Sequence, residues 1–330
     1  MRAARRSAHT AACPLAFALA LGACATDHDP DRPGPPRVIH AYVVEASYGA
    51  DGTATYLGLL TDPSFDPTDP EVWRKVPDLT QGGAAGPYAP PTLLRAVLSE
   101  LVEGDALEDL TTDADGDLHA TLRPGVIAVS AVPRNPAIVP TSAAAAPMQA
   151  SYFDPSGSGT TGPPGPALVM APSPTLPAGS TVTVTLSGAA IKDTAGHAMG
   201  ADATFTFETS DVAPMSVNGA RVPAAATDIE QPAGKAIEIV WNTLLLATTV
   251  VPAAFELRGP LADAMPAVVP VDVSYPMGVA EALGGVPSVT LKPRAPLAAG
   301  GRYALTLRAS LTDLFAVPLP ADVTLTLVAK

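Results

Sequence analysis

The chain has 330 residues, 47% of them hydrophobic and only 15% charged, and its acids outnumber its bases 32 to 19 for a net charge of −13. That length fits two domains, and that charge excludes the basic footprint of a nucleic-acid binder and peripheral docking on anionic lipid. Two cysteines exclude a disulfide scaffold or a Cys-rich zinc domain, while 27 Gly and 37 Pro mark a chain punctuated by many turns.

The first element in chain order is an export signal. Residues 1–10 carry Arg2, Arg5 and Arg6 and no acid, and residues 11–21 form an apolar run of eleven. The run is too short to span a bilayer, which takes about 20 apolar residues. A basic head, a short apolar centre and small residues after it predict a secretory signal over residues 1–23. The plain reading is cleavage after Ala23 with Cys24 incidental. Leu21-Gly22-Ala23-Cys24 also resembles the lipobox of bacterial lipoproteins. That resemblance implies cleavage at Ala23 and acylation of Cys24, with palmitate among the acyl groups. One acyl chain anchors only marginally, and two or three hold firmly. Ala25, where inner-membrane lipoproteins carry Asp, points to the outer membrane. Removal of residues 1–23 leaves sixteen basic residues against 32 acidic ones and no disulfide. Residues 25–37 hold four Pro and three Asp, so residues 24–37 read as a lipidated Cys and a flexible linker.

Beyond residue 37 the pattern is all-β. Residues 38–44 are rich in β-formers, with Val38, His40 and Tyr42 on one side and Ile39, Ala41 and Val43 on the other. Residues 181–186, 204–207, 237–241, 303–307 and 323–327 alternate apolar and polar side chains, the signature of strands with one face in a core. Leu94, Val97, Leu98, Leu101 and Val102 instead sit at helical spacing. The internal repeat described next favours a strand to about residue 100, followed by a turn or short helix over residues 105–110.

Leu176-Pro177-Ala178-Gly179 matches Leu297-Ala298-Ala299-Gly300 at an offset of 121, and at the same offset Val182, Val184 and Leu186 meet Tyr303, Leu305 and Leu307. After a one-residue gap, Asp193 meets Asp313, Asp202 meets Asp322, and Phe205 and Phe207 meet Leu325 and Leu327. A weaker match pairs Leu98-Ser99-Glu100-Leu101 with Trp241-Asn242-Thr243-Leu244. Between the two matches the first copy carries about 22 extra residues, expected around 131–165. A unit this long is a duplicated domain rather than a solenoid repeat.

The run from Leu176 to Leu186, the turn Ile191-Lys192-Asp193-Thr194-Ala195-Gly196-His197 and the strand Thr204-Phe205-Thr206-Phe207-Glu208-Thr209 resemble the bacterial Ig-like domain of the SbsA type. His197 stands where that family has Asn, and the second copy has Leu314-Phe315-Ala316 in place of the Gly turn. The resemblance implies two tandem Ig-like β-sandwich domains, 38–211 with long insertions and 212–330.

Candidate chemistry is sparse. Asp113, Asp115 and Asp117, with Gly116 between them, form the most ligand-like group, because alternating carboxylates can wrap a calcium ion. The spacing departs from the EF-hand, since Gly stands at loop position 4 and Pro124 at position 12. A solvated acidic turn is the competing reading. His28, His40, His119 and His197 are scattered without metal-ligand spacing. Ser156-Gly157-Ser158-Gly159 lacks the strand and helix of a nucleophile elbow. Trp241 reads as core; Trp73, near Tyr88, lies in a loop-like stretch. No catalytic residue and no cofactor other than calcium is proposed. The chain reads as a non-catalytic cell-envelope lipoprotein, structural or protein-interacting, whose partners are the membrane through its anchor and an envelope protein or polysaccharide. The alternative is a calcium-stabilised adhesion or glycan-binding surface lipoprotein that uses residues 47–91 and the acids of 105–117.

Overall fold

The computed structural model describes residues 34–44, 46–48, 54–56, 76–82, 86–90, 92–112, 118–137, 144–145, 148–153, 165–172, 175–222, 228–276 and 287–330. Cys24, Ala23, Trp73, Asp113, Asp115 and Asp117 lie outside the described residues. Among the described residues no helix is long and apolar enough to cross a membrane.

Among the described residues, twelve strands precede residue 210. They are β1 (Val38–Val44), β2 (Ala46–Tyr48), β3 (Ala54–Tyr56), β4 (Leu93–Leu98), β5 (Glu108–Thr112), β6 (Leu118–Leu122), β7 (Ile127–Pro133), β8 (Ala144–Ala145), β9 (Met148–Phe153), β10 (Ala167–Pro172), β11 (Ser180–Leu186) and β12 (Ala203–Glu208). Ten follow: β13 (Pro214–Val217), β14 (Ala220–Arg221), β15 (Ile229–Gln231), β16 (Ile237–Trp241), β17 (Phe255–Arg258), β18 (Val268–Val269), β19 (Val271–Ser274), β20 (Ser288–Pro293), β21 (Arg302–Leu307) and β22 (Val323–Ala329).

The first set builds two antiparallel sheets, β1-β4-β10-β9 and β12-β11-β7-β8, with β2-β3 and β5-β6 as separate hairpins. The second set builds β14-β13-β16-β20-β19 and β15-β22-β21-β17-β18. The strand orders superimpose: β4, β10 and β9 correspond to β16, β20 and β19, and β12, β11, β7 and β8 to β22, β21, β17 and β18. Each pair of sheets encloses its own apolar cluster. The fold is two Ig-like sandwiches in series.

Alternation places the core. In β11, Val182, Val184 and Leu186 are fully buried while the threonines between them stay partly exposed. Across the ladder Val182 faces Phe207 and Val184 faces Phe205. In the second sandwich Tyr303 faces Leu327 and Leu305 faces Leu325. Each such side chain contributes roughly 1.5–3 kcal/mol by leaving water. Trp241 is core as expected, 1% exposed at the end of β16. Tyr88 is core as well: it is buried and meets the Phe207 ring edge-on at 6.2 Å.

The helical spacing in residues 94–102 has a physical explanation. Every residue of β4 is buried. Leu94, Ala96 and Leu98 face the first core. Leu93 and Val97 face a second cluster on the outside of the sheet, with Tyr42, Val44, Val76 and Ala167. A central strand covered on both faces loses its period-2 signal. The helical element that follows is a single turn, Gly104–Leu107. A register shift between Val38 and His40 also modifies β1. Val38 packs on the inner core and Ile39 on the outer cluster, so the expected alternation holds only from His40 onward.

Most of the extra length of the first copy lies earlier than residues 131–165. Leu98 to Ile127 is 29 residues, whereas Trp241 to Phe255, the same connection, is 14. The β5-β6 hairpin fills this connection.

The repeated Asp turns are built alike. Asp193 Oδ1 accepts the N–H groups of Ala195 and His197 at 2.9 and 2.7 Å, and Asp313 Oδ1 accepts those of Phe315 and Val317 at 2.9 and 2.8 Å. Gly196 closes the first turn at φ +88°, and Ala316, its counterpart, is held at φ +63°. Left-handed backbone costs a residue with a Cβ roughly 1–2 kcal/mol. Ala316→Gly is therefore expected to stabilise the protein by about 1 kcal/mol net of added chain entropy, raising the melting temperature by about 2–4 °C in differential scanning calorimetry. No change or a drop would show that the turn stores no strain.

Candidate functional site at the inter-domain junction

The chain passes between the sandwiches over residues 210–213, and the contacts around this passage form a polar cluster. On the first-domain side is the bend Leu176-Pro177-Ala178-Gly179 that leads into β11. Gly179 takes φ +55°, and a Cβ there would come within 2.7 Å of Asp211 Oδ1. Thr209 ties the bend shut: its hydroxyl donates to Pro177 O at 2.6 Å and accepts from Ser180 N at 3.0 Å. Gly179 N donates to Ser210 O at 2.9 Å. Ala178 is thereby held with no exposed surface and packs into the core of the second sandwich beside Val212.

The second domain meets this bend with its Asp turn. Asp313 is 0% exposed. Its Oδ2 accepts the Ala178 N–H at 2.8 Å, across 135 residues of chain. Thr175 and Thr243, both buried, face each other through their hydroxyls at 3.4 Å. Asn242 holds the crossing strand from the other side. Its Oδ1 accepts from Ala213 N, and its Nδ2 donates to Ser210 Oγ and Asp211 O at 2.9, 3.0 and 2.8 Å. Arg134 closes the rim, donating from Nη2 to Thr209 O and Asp211 Oδ1.

The electrostatics follow from burial. Desolvation pushes the Asp313 carboxyl up to about 6, although the N–H groups of Ala178, Val317 and Phe315 all oppose that rise. At Asp193 burial also acts to raise the pKa, but there the backbone N–H and ring of His197 and the Ala195 N–H outweigh it and hold the carboxyl below its usual range. The spare oxygen of Asp193 lies 2.7 Å from His197 Nδ1, and that histidine is 64% exposed. His40 makes a similar pair with Asp78 at 2.7 Å on the outer face of the first domain. Asp78 also accepts from Ala41 N and Thr80 N, which fastens residues 78–80 to β1. Arg95 is buried in the same outer layer, and desolvation pulls its pKa down to about 9.

No candidate site read from the sequence coincides with the junction. Cys24, Ala23, Asp113, Asp115 and Asp117 lie outside the described residues, as do His28 and Ser156 to Gly159. Among the described residues no group of three or more His, Cys, Asp or Glu stands together to hold a metal. Sequence reading aligned Asp313 with Asp193 but missed its role, because its partner is a main-chain N–H and leaves no residue signature. The alignment did hold one usable sign: His197, the side-chain partner in the first turn, is Val317 in the second.

No protein-family model matches the chain, and no curated protein does. Several solved structures share limited likeness. The N-terminal part of the bacterial S-layer protein SbsC is 12% identical, over 36% of this chain and 23% of that one, with a TM-score of 0.26. PcoC, a methionine-rich copper resistance protein from Escherichia coli, is 19% identical over 34% of this chain and 97% of that one, at 0.25. A titin fragment, A168–A169, is 9% identical over 64% of this chain and 89% of that one, at 0.20. The chain thus spans under a quarter of the SbsC structure, and scores this low mark no shared function. The class that the fold itself defines is a tandem Ig-like β-sandwich protein.

Asp313 makes stability depend on pH. Its folded pKa of about 6 lies above the ordinary 3.8, so the folded state binds the proton more tightly. The stability tied to this group is full below about pH 4 and is lost as pH rises through 6, by roughly 3 kcal/mol. Asp313→Asn removes the titration. Denaturant unfolding from pH 4 to 7 should show the variant gaining on the wild type by about that amount, and parallel curves would contradict the assignment.

Proposed function

We propose that the protein is a non-catalytic cell-envelope module: a stiff pair of Ig-like sandwiches displayed from a membrane by an acylated Cys24. The observation that carries this reading is the closed junction. A connection of four residues, a buried carboxylate bonded to the neighbouring domain and an alanine set into its core leave the two sandwiches little freedom to swing. Such a body holds whatever it carries at a fixed distance from its anchor. The Pro- and Asp-rich residues 25–37 supply a solvated tether between lipid and folded part. The charged side chains of the second domain support a structural role. Glu256, Arg258, Arg308 and Asp322 form one ion-pair network that clamps β17 to β21 and to the loop before β22.

Two sets of measurements test this reading. Metabolic labelling with a palmitate analogue should mark the wild type, while Cys24→Ala should yield an unlabelled product that partitions into the aqueous phase of a detergent separation. Labelling of the variant would refute the anchor. Small-angle scattering and calorimetry test the stiffness. The wild type should behave as one extended particle that unfolds in one transition. Asp313→Ala leaves three backbone N–H groups without their acceptor, at about 1–3 kcal/mol each if they stay buried. It should enlarge the radius of gyration and split the transition in two. An unchanged particle and a single transition in the variant would show that the junction is not held by this carboxylate.

A further inference from the structure

We propose that the far tip of the second sandwich is a docking site for a further Ig-like sandwich, one whose Asp turn carries a buried carboxylate of the Asp313 kind. At the junction, the bend Leu176-Pro177-Ala178-Gly179 leads into β11 and delivers the Ala178 N–H and methyl to the second domain. Its counterpart at the offset of 121, Leu297-Ala298-Ala299-Gly300, leads into β21 at the opposite end of the second sandwich from Asp313. Gly300 takes φ +73°, as Gly179 takes +55°. Ala299 stands where Ala178 does. Ala178 is buried in the neighbouring domain, and Ala299 is exposed.

The second bend is already closed without a partner. Gly300 N donates to Ala329 O at 2.8 Å, Gly301 N to Ala298 O at 2.9 Å and Ala298 N to Tyr303 Oη at 2.8 Å. These bonds do the work of the Thr209 hydroxyl, whose counterpart is Ala329 and has none to offer. The Ala299 N–H has no acceptor among the described residues. A donor held in place beforehand loses little conformational freedom when an acceptor reaches it. The chemistry that the first bend uses on Asp313 is therefore present a second time, facing outward.

The residues beside the bend fit the same occupant. In the first sandwich the segment after β7 carries Arg134, which closes the junction rim. The segment after β17 runs past the second bend, with Leu261 N donating to Arg302 O at 2.8 Å. It offers Leu261, 39% exposed, and Met265, 88% exposed, apolar side chains of the kind that contact surfaces use. Lys235 lies at this end too, because its carbonyl accepts from Gln231 Nε2 and the Gln231 carbonyl accepts from Lys330 N. It has no ion-pair partner among the described residues. Residues 212–330 carry nine acids and eight bases, against 20 and six in residues 38–211, so the second domain does not repel an incoming carboxylate. A second copy of this chain is not the occupant. Its outward Asp turn is that of Asp193, whose second oxygen faces His197 at 2.7 Å. The occupant's turn has an apolar side chain there, as the second turn has Val317. The inference rests on the junction and not on the acylated Cys24.

The full chain, extended after Lys330 by a second copy of residues 211–330, supplies a defined probe, because Lys330 then takes the place of Ser210 and the added sandwich brings its own Asp turn. Hydrogen exchange read by mass spectrometry reports on the bend. In the natural chain all of the signal from residues 297–301 should exchange fast. In the extended chain half of it, from the original tip, should slow by roughly tenfold or more, while the other half, from the new tip, stays fast. Asp313→Ala in the added copy should abolish the slow half. Ala299→Glu at the original tip sets two carboxylates together and should leave that peptide, now distinct in mass, fast. The same variant in the natural chain should melt as the wild type does, since Ala299 is exposed. A signal that is fast throughout the extended chain, or a slow half that survives either variant, would overturn the proposal. If residues 176–179 stayed protected in that case, the natural junction would still stand.

Discussion

A carboxylate that has left water must have its oxygens met by donors, and Asp313 shows how strictly this shapes a structure. Two of its three partners lie in its own turn, and the third is the Ala178 N–H of the other domain. Burial still raises its pKa to about 6, so the arrangement compensates desolvation only in part. The bend at residues 176–179, the hydroxyl of Thr209 that closes it and the amide of Asn242 that holds the crossing strand all serve to bring that one N–H to the carboxylate. A buried charge of this kind is a poor source of stability and a good source of specificity: few relative placements of the two sandwiches would satisfy it.

The duplication explains where such a group came from. The same Asp turn occurs in both copies, with the same pair of backbone N–H groups on Oδ1. In the first copy the second oxygen faces an exposed histidine. In the second it faces a neighbouring domain. The turn was already shaped to present a carboxylate oxygen outward, and the junction makes use of that orientation.

The rear half of each sandwich was legible in the sequence because its geometry depends on particular side chains. Asp193, Asp313 and the alternating strands β11, β12, β21 and β22 cannot be replaced freely, so the offsets of 121 and then 120 survive. The front half was faint for the opposite reason. β4 is apolar on both sides and imitates a helix, and the extra residues before β7 form a hairpin whose length nothing in the surrounding pattern announces. Yet the faint match was sound. The bridges Val102–Asp193 and Leu245–Asp313, and Tyr88–Thr209 beside the Gln231–Ala329 pair, keep the offset of 143 that relates Leu98 to Trp241. The junction could not be read at all, because a contact between a side chain and a main-chain N–H 135 residues away leaves no pattern in either segment.

The division of labour at this junction also makes it lopsided under mutation. The first domain contributes an amide hydrogen, which no substitution other than proline deletes, and a methyl small enough to be hidden. The second contributes the carboxylate that accepts it. A change at Asp313 removes the acceptor outright, whereas the leading sandwich can lose its half of the bond only indirectly, by letting the bend that Thr209 and Gly179 shape move away. Substitution in the leading sandwich outside that bend leaves the donor in place.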